Sequence, residues 1–123
     1  ENDKDIRWHG TLVEEADIAP LMKKANIVFI PGLSGLSVNH ALFYGRPFLT
    51  LRSTFHGPEI HYLEKGKNGL ILSGDQEKDL EELGMMMKHP ERVNEMAKAA
   101  YAKGKELSIQ NWVKQMKKAL TNA

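Results

Sequence analysis

The segment with the clearest chemical potential lies at residues 31–37, with the sequence PGLSGLS. Its two glycines follow a short apolar run at residues 26–30 and precede a helical pattern, which predicts a strand, a tight turn and a helix. The first turn of such a helix leaves backbone N–H groups unpaired, and these groups bind anions such as phosphates. The candidate ligand-binding residues are six consecutive positions of this glycine turn: Gly32, Leu33, Ser34, Gly35, Leu36 and Ser37.

The glycine turn (residues 31–37) also has a purely structural interpretation, as an ordinary connection between a strand and a helix. Gly32 and Gly35 favour the ligand-binding interpretation, because glycine lets a backbone come close to a ligand. Ser34 has the side chain of a helix N-cap, which would fix where the helix begins. We therefore expect the N–H groups of the turn to suit a pyrophosphate.

The overall composition excludes several functional classes. The chain has 123 residues, about one domain, and a formal net charge of +1, which gives no basic field to attract nucleic acid. It has no cysteine, so disulfide and thiolate chemistry are excluded. No apolar run approaches the roughly 20 residues that cross a membrane. These features predict a soluble cytoplasmic protein without a nucleic-acid partner.

Familiar catalytic and cofactor motifs are missing from the sequence. It contains neither a P-loop, nor a Gly-x-Gly-x-x-Gly fingerprint, nor a Gly-x-Ser-x-Gly nucleophile elbow. His9, His61 and His89 have no partner at metal-ligand spacing. We therefore expect no metal and no cofactor, and the sequence assigns no catalytic residue.

The elements around the glycine turn alternate, in the pattern β-α-β-α-β-α-β followed by three helices. This order predicts an α/β fold, a three-layer Rossmann-like parallel sheet with C-terminal helices. Strands are expected at residues 5–10, 26–30, 48–51 and 70–72. Helices are expected at residues 14–25, from 36 to Gly45, from Pro58 to Gly66, and after Asp75, His89 and Ser108. Pro20 falls inside the first helix, so we expect a kink or a late start near Ala19.

Four segments in register carry a family resemblance. They are the turn, helix and Gly-x-Pro of residues 31–48, GPEI at 57–60, GKNGLIL followed by GD at 66–75, and residues 6–10 with 25–26. Together they resemble the C-terminal, donor-binding domain of retaining GT-B glycosyltransferases (glycosyl transferases group 1 type), which transfer a sugar from a nucleotide-sugar donor. The resemblance implies that the glycine turn contacts the donor and that Glu59 lines the same site. Glu59 also suits the first turn of a helix without any ligand, because the helix dipole favours an acidic residue there.

The family's second functional position is occupied by a histidine. These enzymes usually carry Glu-x7-Glu across the turn and helix, and the register set by Gly45 and Pro47 puts Gly32 and His40 at those two positions. The resemblance is closest to a subset with Gly-Leu-x-x-x-His-Ala, which matches residues 35–41. His40 is therefore a candidate donor ligand. Its apolar neighbours equally favour a hydrogen-bonded core histidine.

The resemblance implies that residues 1–123 form a single partial nucleotide-sugar-binding domain. The family's sheet has the strand order 3-2-1-4-5-6, and this chain starts at the third strand. The first two β/α units and the acceptor domain would then belong to a longer chain, and so would any peripheral contact with a membrane. The strand at 26–30 would have an open edge, which we expect residues 6–9 or a second copy of the chain to cover.

The last helix of such enzymes often reaches toward the acceptor domain, so we expect Trp112 and Met116 to be partly exposed and able to support self-association. The sequence thus predicts the donor-binding part of a glycosyltransferase of the hexosyltransferase type, metal-independent and acting in glycan or polysaccharide biosynthesis. Its expected partners are the nucleotide-sugar donor and the acceptor domain of the same chain, and the fragment alone would be inactive. Because both family carboxylates are missing, one alternative stays open: a non-catalytic module that binds a nucleotide or nucleotide sugar.

Overall fold

A computed structural model describes residues 4–122 of the chain. Its elements, in order, are α1 (Glu15–Lys24), β1 (Val28–Phe29), α2 (Leu36–Phe43), β2 (Phe48–Leu51), a 3-10 helix (Pro58–Tyr62), β3 (Gly69–Leu72), α3 (Gln76–Lys88), α4 (Pro90–Glu106) and α5 (Ile109–Thr121). The strands described in these residues form one parallel sheet in the order β1-β2-β3. The predicted α/β class and the parallel sheet are confirmed.

Two apolar clusters, one on each face of the sheet, hold the layers together. Strand β2 supplies both, because neighbouring residues of a strand point to opposite faces. Phe48 packs with buried residues of α2, whereas Leu49 packs with Met86 of α3 and Met96 of α4. Each fully buried large apolar side chain contributes about 1.5–3 kcal/mol. This packing fixes α2 against the sheet and therefore fixes the glycine turn that precedes it.

Several helix ends lie where local chemistry predicts them. The Asp75 side chain accepts a hydrogen bond from the Lys78 amide at 3.3 Å and caps α3. Ser108 accepts one from the Asn111 amide at 3.2 Å and caps α5. Gly45 follows α2 with a φ of 64°, the left-handed conformation that ends many helices at glycine. These ends depend on local sequence, which is why the sequence pattern locates them.

The strand predicted at residues 5–10 is wrong. Ile6 and Trp8 are 74% and 91% exposed, and no strand is assigned to this segment. Alternating apolar and polar residues form a strand only where a neighbouring strand supplies the ladder of hydrogen bonds. The expectation that residues 6–9 cover the edge of β1 is therefore also wrong. Within residues 4–122, β1 pairs with β2 alone and its other edge stays unpaired.

Helix α1 begins at Glu15 and runs through Pro20, so the late start expected near Ala19 is wrong. Proline in a helix interior removes the hydrogen bond to the carbonyl four residues earlier, here that of Ala16. Ala16 and Pro20 both lie on the exposed side of α1, where water can satisfy this carbonyl. The helix therefore tolerates the proline.

The chain after β3 is organised by Asp79, which is 9% exposed. Its carboxylate accepts hydrogen bonds from the Ser73 amide at 2.8 Å, the Ser73 hydroxyl at 2.9 Å and the Gly74 amide at 2.8 Å. Burial raises the pKa of Asp79, but the bonds from Ser73 and Gly74 together outweigh burial and leave this pKa below its usual value. The charged carboxylate thus holds the start of α3 against the end of β3.

Helix α5 exposes an apolar stripe. Its members recur at helical spacing and are all 38% to 76% exposed: Ile109, Trp112, Val113, Met116 and Leu120. The predicted exposure of Trp112 (62%) and Met116 (45%) is confirmed. None of the helices between residues 4 and 122 has both the length and the apolarity to cross a bilayer.

Candidate functional site

The glycine turn follows β1, and the loop at residues 52–57 (loop 52–57) follows β2. Because β1 and β2 are parallel, both segments lie at the carboxyl edge of the sheet, where α/β proteins bind ligands. The turn is held in place mainly through Ser34, which is buried. The Ser34 hydroxyl lies 3.1 Å from the hydroxyl of Thr50 on β2, and the Ser34 carbonyl accepts a 2.7 Å hydrogen bond from the Gly57 amide.

Ser34 is therefore not the N-cap of α2, and that prediction is wrong. The N-cap is Gly35, and no side chain caps this end of the helix. The reason is tertiary: the Ser34 hydroxyl is within hydrogen-bond distance of Thr50 on the neighbouring strand, so it is directed toward the sheet. The amides at the start of α2 consequently lose a side-chain acceptor that local sequence would have given them.

Loop 52–57 contributes a histidine that bridges the end of β2 and the glycine turn. Nδ1 of His56 accepts a hydrogen bond from the Ser34 amide at 3.1 Å, and Nε2 lies 2.8 Å from the Leu51 carbonyl. An amide can only donate and a carbonyl can only accept, so the proton of the imidazole is on Nε2. Both ring nitrogens are occupied. Nothing in the sequence pattern predicts this bridge, because it joins segments 22 residues apart.

The glycine turn and loop 52–57 approach closely at Gly57, where a side chain would require Glu59 and the turn to shift. A Cβ atom at Gly57 would lie 2.6 Å from Oε2 of Glu59 and 3.2 Å from the Cα atom of Gly35. The same Glu59 oxygen lies 3.7 Å from where a Cβ atom of Gly35 would be. The structure thus brings Glu59 beside the glycine turn.

Three consecutive amides at the start of α2 are available to a ligand. Those of Gly35, Leu36 and Ser37 donate to no protein acceptor in the part of the chain that the structure describes. Leu33 and Leu36 are 67% and 74% exposed, so the turn opens to solvent. Amide donors at a helix N-terminus suit a phosphate, and the adjacent Glu59 carboxylate can accept hydrogen bonds from hydroxyl groups. A molecule that carries both phosphate and hydroxyl groups matches this arrangement.

Gly32 and His40 differ from the other candidate residues in their contacts. Gly32 is exposed, with no atom within 4 Å of where a Cβ would be. His40 contacts α1: its Nε2 lies 3.3 Å from Oε2 of Glu15, and its ring meets that of Tyr44 edge-on at 5.4 Å between centroids. The Tyr44 hydroxyl donates a hydrogen bond to Glu15. The structure therefore gives His40 protein partners and does not group it with Glu59 at the turn.

The contact between Tyr44 and Glu15 shifts the pKa of both side chains. The hydrogen bond from Tyr44 is the largest cause that lowers the pKa of Glu15, and His40 lowers it further. The same bond raises the pKa of Tyr44, because ionisation would place two negative charges side by side. This cluster joins α1 to α2 from the side.

No group of three or more metal-ligating side chains is found among residues 4–122. His56 also lines a cavity of about 430 Å³, together with basic side chains that include Arg52, His61 and Lys65. No residue of the glycine turn lines this cavity. The candidate site is therefore an open surface at the carboxyl edge of the sheet, built from amide donors and one carboxylate.

Comparison with known proteins gives a match in structure but not in sequence. No family model and no curated protein matches the chain. The structure is similar to the crystal structure of Alr3699/HepE from Anabaena in complex with UDP, with a TM-score of 0.65 and 19% sequence identity over 88% of this chain. It is also similar to the structure of the same protein in complex with UDP-glucose, with a TM-score of 0.62 and 18% identity over 87% of this chain.

The fold is that of a GT-B C-terminal domain. The resemblance inferred from the sequence motifs is thus confirmed at the level of the fold. The chain spans 30% of the length of the HepE chain in both structures. Residues 4–122 contribute three parallel strands to this fold, and all three follow α1.

Proposed function

We propose that this chain supplies the donor site of a glycosyltransferase and that its donor is a nucleotide sugar. The observation that carries the proposal is the set of unpaired amides at Gly35, Leu36 and Ser37, placed beside the Glu59 carboxylate at the carboxyl edge of the sheet. The amides suit the donor's diphosphate, and Glu59 suits a hydroxyl of its sugar. The similarity in fold to a protein crystallised with UDP and UDP-glucose supports this assignment.

The donor contacts proposed are those of the sequence prediction. In this proposal residues 32–37 surround the diphosphate and sugar, and the Glu59 carboxylate accepts a hydrogen bond from a sugar hydroxyl. His40 reaches the donor only if it leaves Glu15, so it is the weakest member of the set. The proposed reaction needs no metal, because positioning and amide donors stabilise the leaving diphosphate.

The whole enzyme proposed here is larger than residues 1–123, which would form one partial domain. Hexosyl transfer in glycan or polysaccharide biosynthesis and a cytoplasmic location stay predictions. We propose that the α5 stripe, with Trp112 62% exposed, packs on the acceptor domain of the same chain. Residues 1–123 alone would then be inactive. The alternative partner is a second copy of the chain, which would bind through this stripe or through the open edge of β1.

One observation favours a second function, a non-catalytic module that binds a nucleotide or nucleotide sugar. The two carboxylates usual in the family are replaced by Gly32 and His40, and His40 has Glu15 as its partner in this structure. Such a module would keep the amides that bind the diphosphate. It would lack groups that act on the sugar in the transition state.

Titration and turnover on the full natural chain separate these functions. UDP-, GDP- and dTDP-sugars are titrated by calorimetry, and each donor that binds is then tested for sugar transfer and hydrolysis. Turnover supports the glycosyltransferase, whereas saturable binding without transfer or hydrolysis supports the module. Failure to bind any of these donors would refute UDP-, GDP- and dTDP-sugars as ligands of either the enzyme or the module.

A further inference from the structure

His56 is the side chain outside the candidate ligand set that is most closely connected to it. Its Nδ1 accepts from the Ser34 amide at 3.1 Å and its Nε2 donates to the Leu51 carbonyl at 2.8 Å. With both nitrogens engaged, His56 cannot hydrogen-bond a phosphate without giving up one of these bonds. Its place in the fold is therefore between the end of β2 and the glycine turn.

The bond to His56 and a second bond next to it fix both backbone polar groups of Ser34. The Ser34 amide points to His56, and its carbonyl accepts the 2.7 Å hydrogen bond from the Gly57 amide. These two bonds join the glycine turn to loop 52–57 by the backbone of a single residue. The amide immediately after them, that of Gly35, is the first of the three that have no protein acceptor within residues 4–122.

The direction of those three amides depends on the residue that precedes them. No side chain caps α2, so the helix start is oriented by Ser34 and by the packing of α2 further along. Amide donors that already point at the ligand position do not have to be ordered when the ligand binds, and this raises affinity. The Thr50 hydroxyl holds the side chain of Ser34 against β2, and His56 is the acceptor that fixes the direction of its amide. The core contacts of α2 lie elsewhere, at Val38 and Leu42.

We infer that His56 is a positioning residue of the donor site: its neutral imidazole, protonated on Nε2, directs the Ser34 amide away from the ligand and aligns the next three amides toward the donor's diphosphate. The inference rests on the proposed function. In this inference the hydrogen bond that Nδ1 accepts from the Ser34 amide is the one that affects donor binding. The hydrogen bond that Nε2 donates to the Leu51 carbonyl holds the ring against β2.

Two substitutions separate these roles. In His56→Asn the side-chain oxygen takes the position of Nδ1 and keeps an acceptor for the Ser34 amide. In His56→Gln the longer side chain can still donate to the Leu51 carbonyl, but no atom replaces Nδ1. His61→Gln is the matched control, because His61 is exposed, lies five residues away and has a side chain that makes no hydrogen bond within residues 4–122.

UDP is titrated by calorimetry against the full chain, and thermal unfolding is measured for each variant. We expect His56→Asn and His61→Gln to bind UDP within about threefold of the wild type. We expect His56→Gln to bind about tenfold more weakly, the loss typical of one hydrogen bond, at an unfolding temperature close to that of His56→Asn. Equal affinity of the two His56 variants, whether both weakened or both unchanged, would overturn the inference.

Hydrogen exchange of the Ser34 amide without ligand keeps this test independent of the proposed function. Absence of UDP binding by the wild type would refute a UDP-sugar donor and would leave the exchange experiment to decide the role of His56. Slow exchange at Ser34 in the wild type and in His56→Asn, but fast exchange in His56→Gln, supports the positioning role. Equal exchange in all three chains overturns it.

Discussion

Replacing Leu36 by proline removes one of the three proposed phosphate donors while leaving the helix intact. Leu36 is the first residue of α2, the position at which proline is favoured, because the missing amide has no partner inside the helix. The preceding Gly35 has φ −145° and ψ −117°, outside the helical region that proline disfavours in its neighbour. The Leu36 side chain is 74% exposed, so little packing is lost.

The expected effects on stability and on binding have opposite signs. A proline at a compatible position stabilises a fold by about 0.4–1 kcal/mol, because it restricts the unfolded chain. A hydrogen bond to a charged group contributes about 1.5–3 kcal/mol, so loss of the amide should weaken UDP binding roughly tenfold to a hundredfold. The variant Leu36→Pro should therefore unfold at an equal or higher temperature and bind UDP more weakly.

Calorimetric titration with UDP and thermal unfolding on the full chain measure both effects. The control is Leu36→Ala, which removes the same side chain but keeps the amide and should bind UDP within about twofold of the wild type. Equal affinity of the proline and alanine variants would show that the Leu36 amide does not bind phosphate. Weak binding by both variants would assign the loss to the side chain instead.

Further predictions concern stability and titration. Because the pKa of Asp79 is depressed, its stabilising contribution is complete above the ordinary value of 3.8 and is lost as the pH falls through the folded-state pKa. Urea unfolding should therefore show a larger loss of stability below about pH 4 for the wild type than for Asp79→Asn. Gly69→Ala should destabilise the fold by about 1–3 kcal/mol or more, because the new Cβ collides with a carbonyl of β2, whereas Gly32→Ala, with open space around it, should leave the unfolding temperature unchanged. Glu15→Gln should return the pKa of Tyr44 toward its ordinary value of 10.0, measured by absorbance at alkaline pH.

Features that depend on local sequence could be predicted. The caps at Asp75 and Ser108 and the left-handed Gly45 follow from the residue types and their neighbours. Strand β2 could be predicted because its residues are mostly apolar and because Gly45 and Pro47 come just before it. The parallel sheet then follows from the alternation of strands and helices.

Features that depend on residues distant in the sequence could not be predicted. The N-cap at Ser34 is reasonable from local sequence, but Thr50 on the neighbouring strand takes its hydroxyl. The bridge made by His56 depends on the Leu51 carbonyl and the Ser34 amide, which local sequence does not place beside it. Residues 5–10 show the converse, because their alternation is genuine but no strand is assigned to them in the part of the chain that the structure describes. The glycine at position 57 is explained only once loop 52–57 lies against the turn.

The unpaired edge of β1 constrains what can complete the sheet. The amides of Val28 and Ile30 donate to carbonyls of residues 47 and 49 at 3.0 Å. The N–H and C=O groups of Ile27 and Phe29 therefore point to the opposite, unpaired edge of β1. A strand supplied by a right-handed crossover of the same polypeptide would run in the same direction as β1 and bond to those outward groups at a slant. Two copies related by a twofold axis would instead pair their β1 edges antiparallel, with hydrogen bonds perpendicular to the strands. A parallel neighbour at this edge would therefore fit a crossover strand of the same polypeptide, whereas an antiparallel neighbour would fit a second copy of the chain.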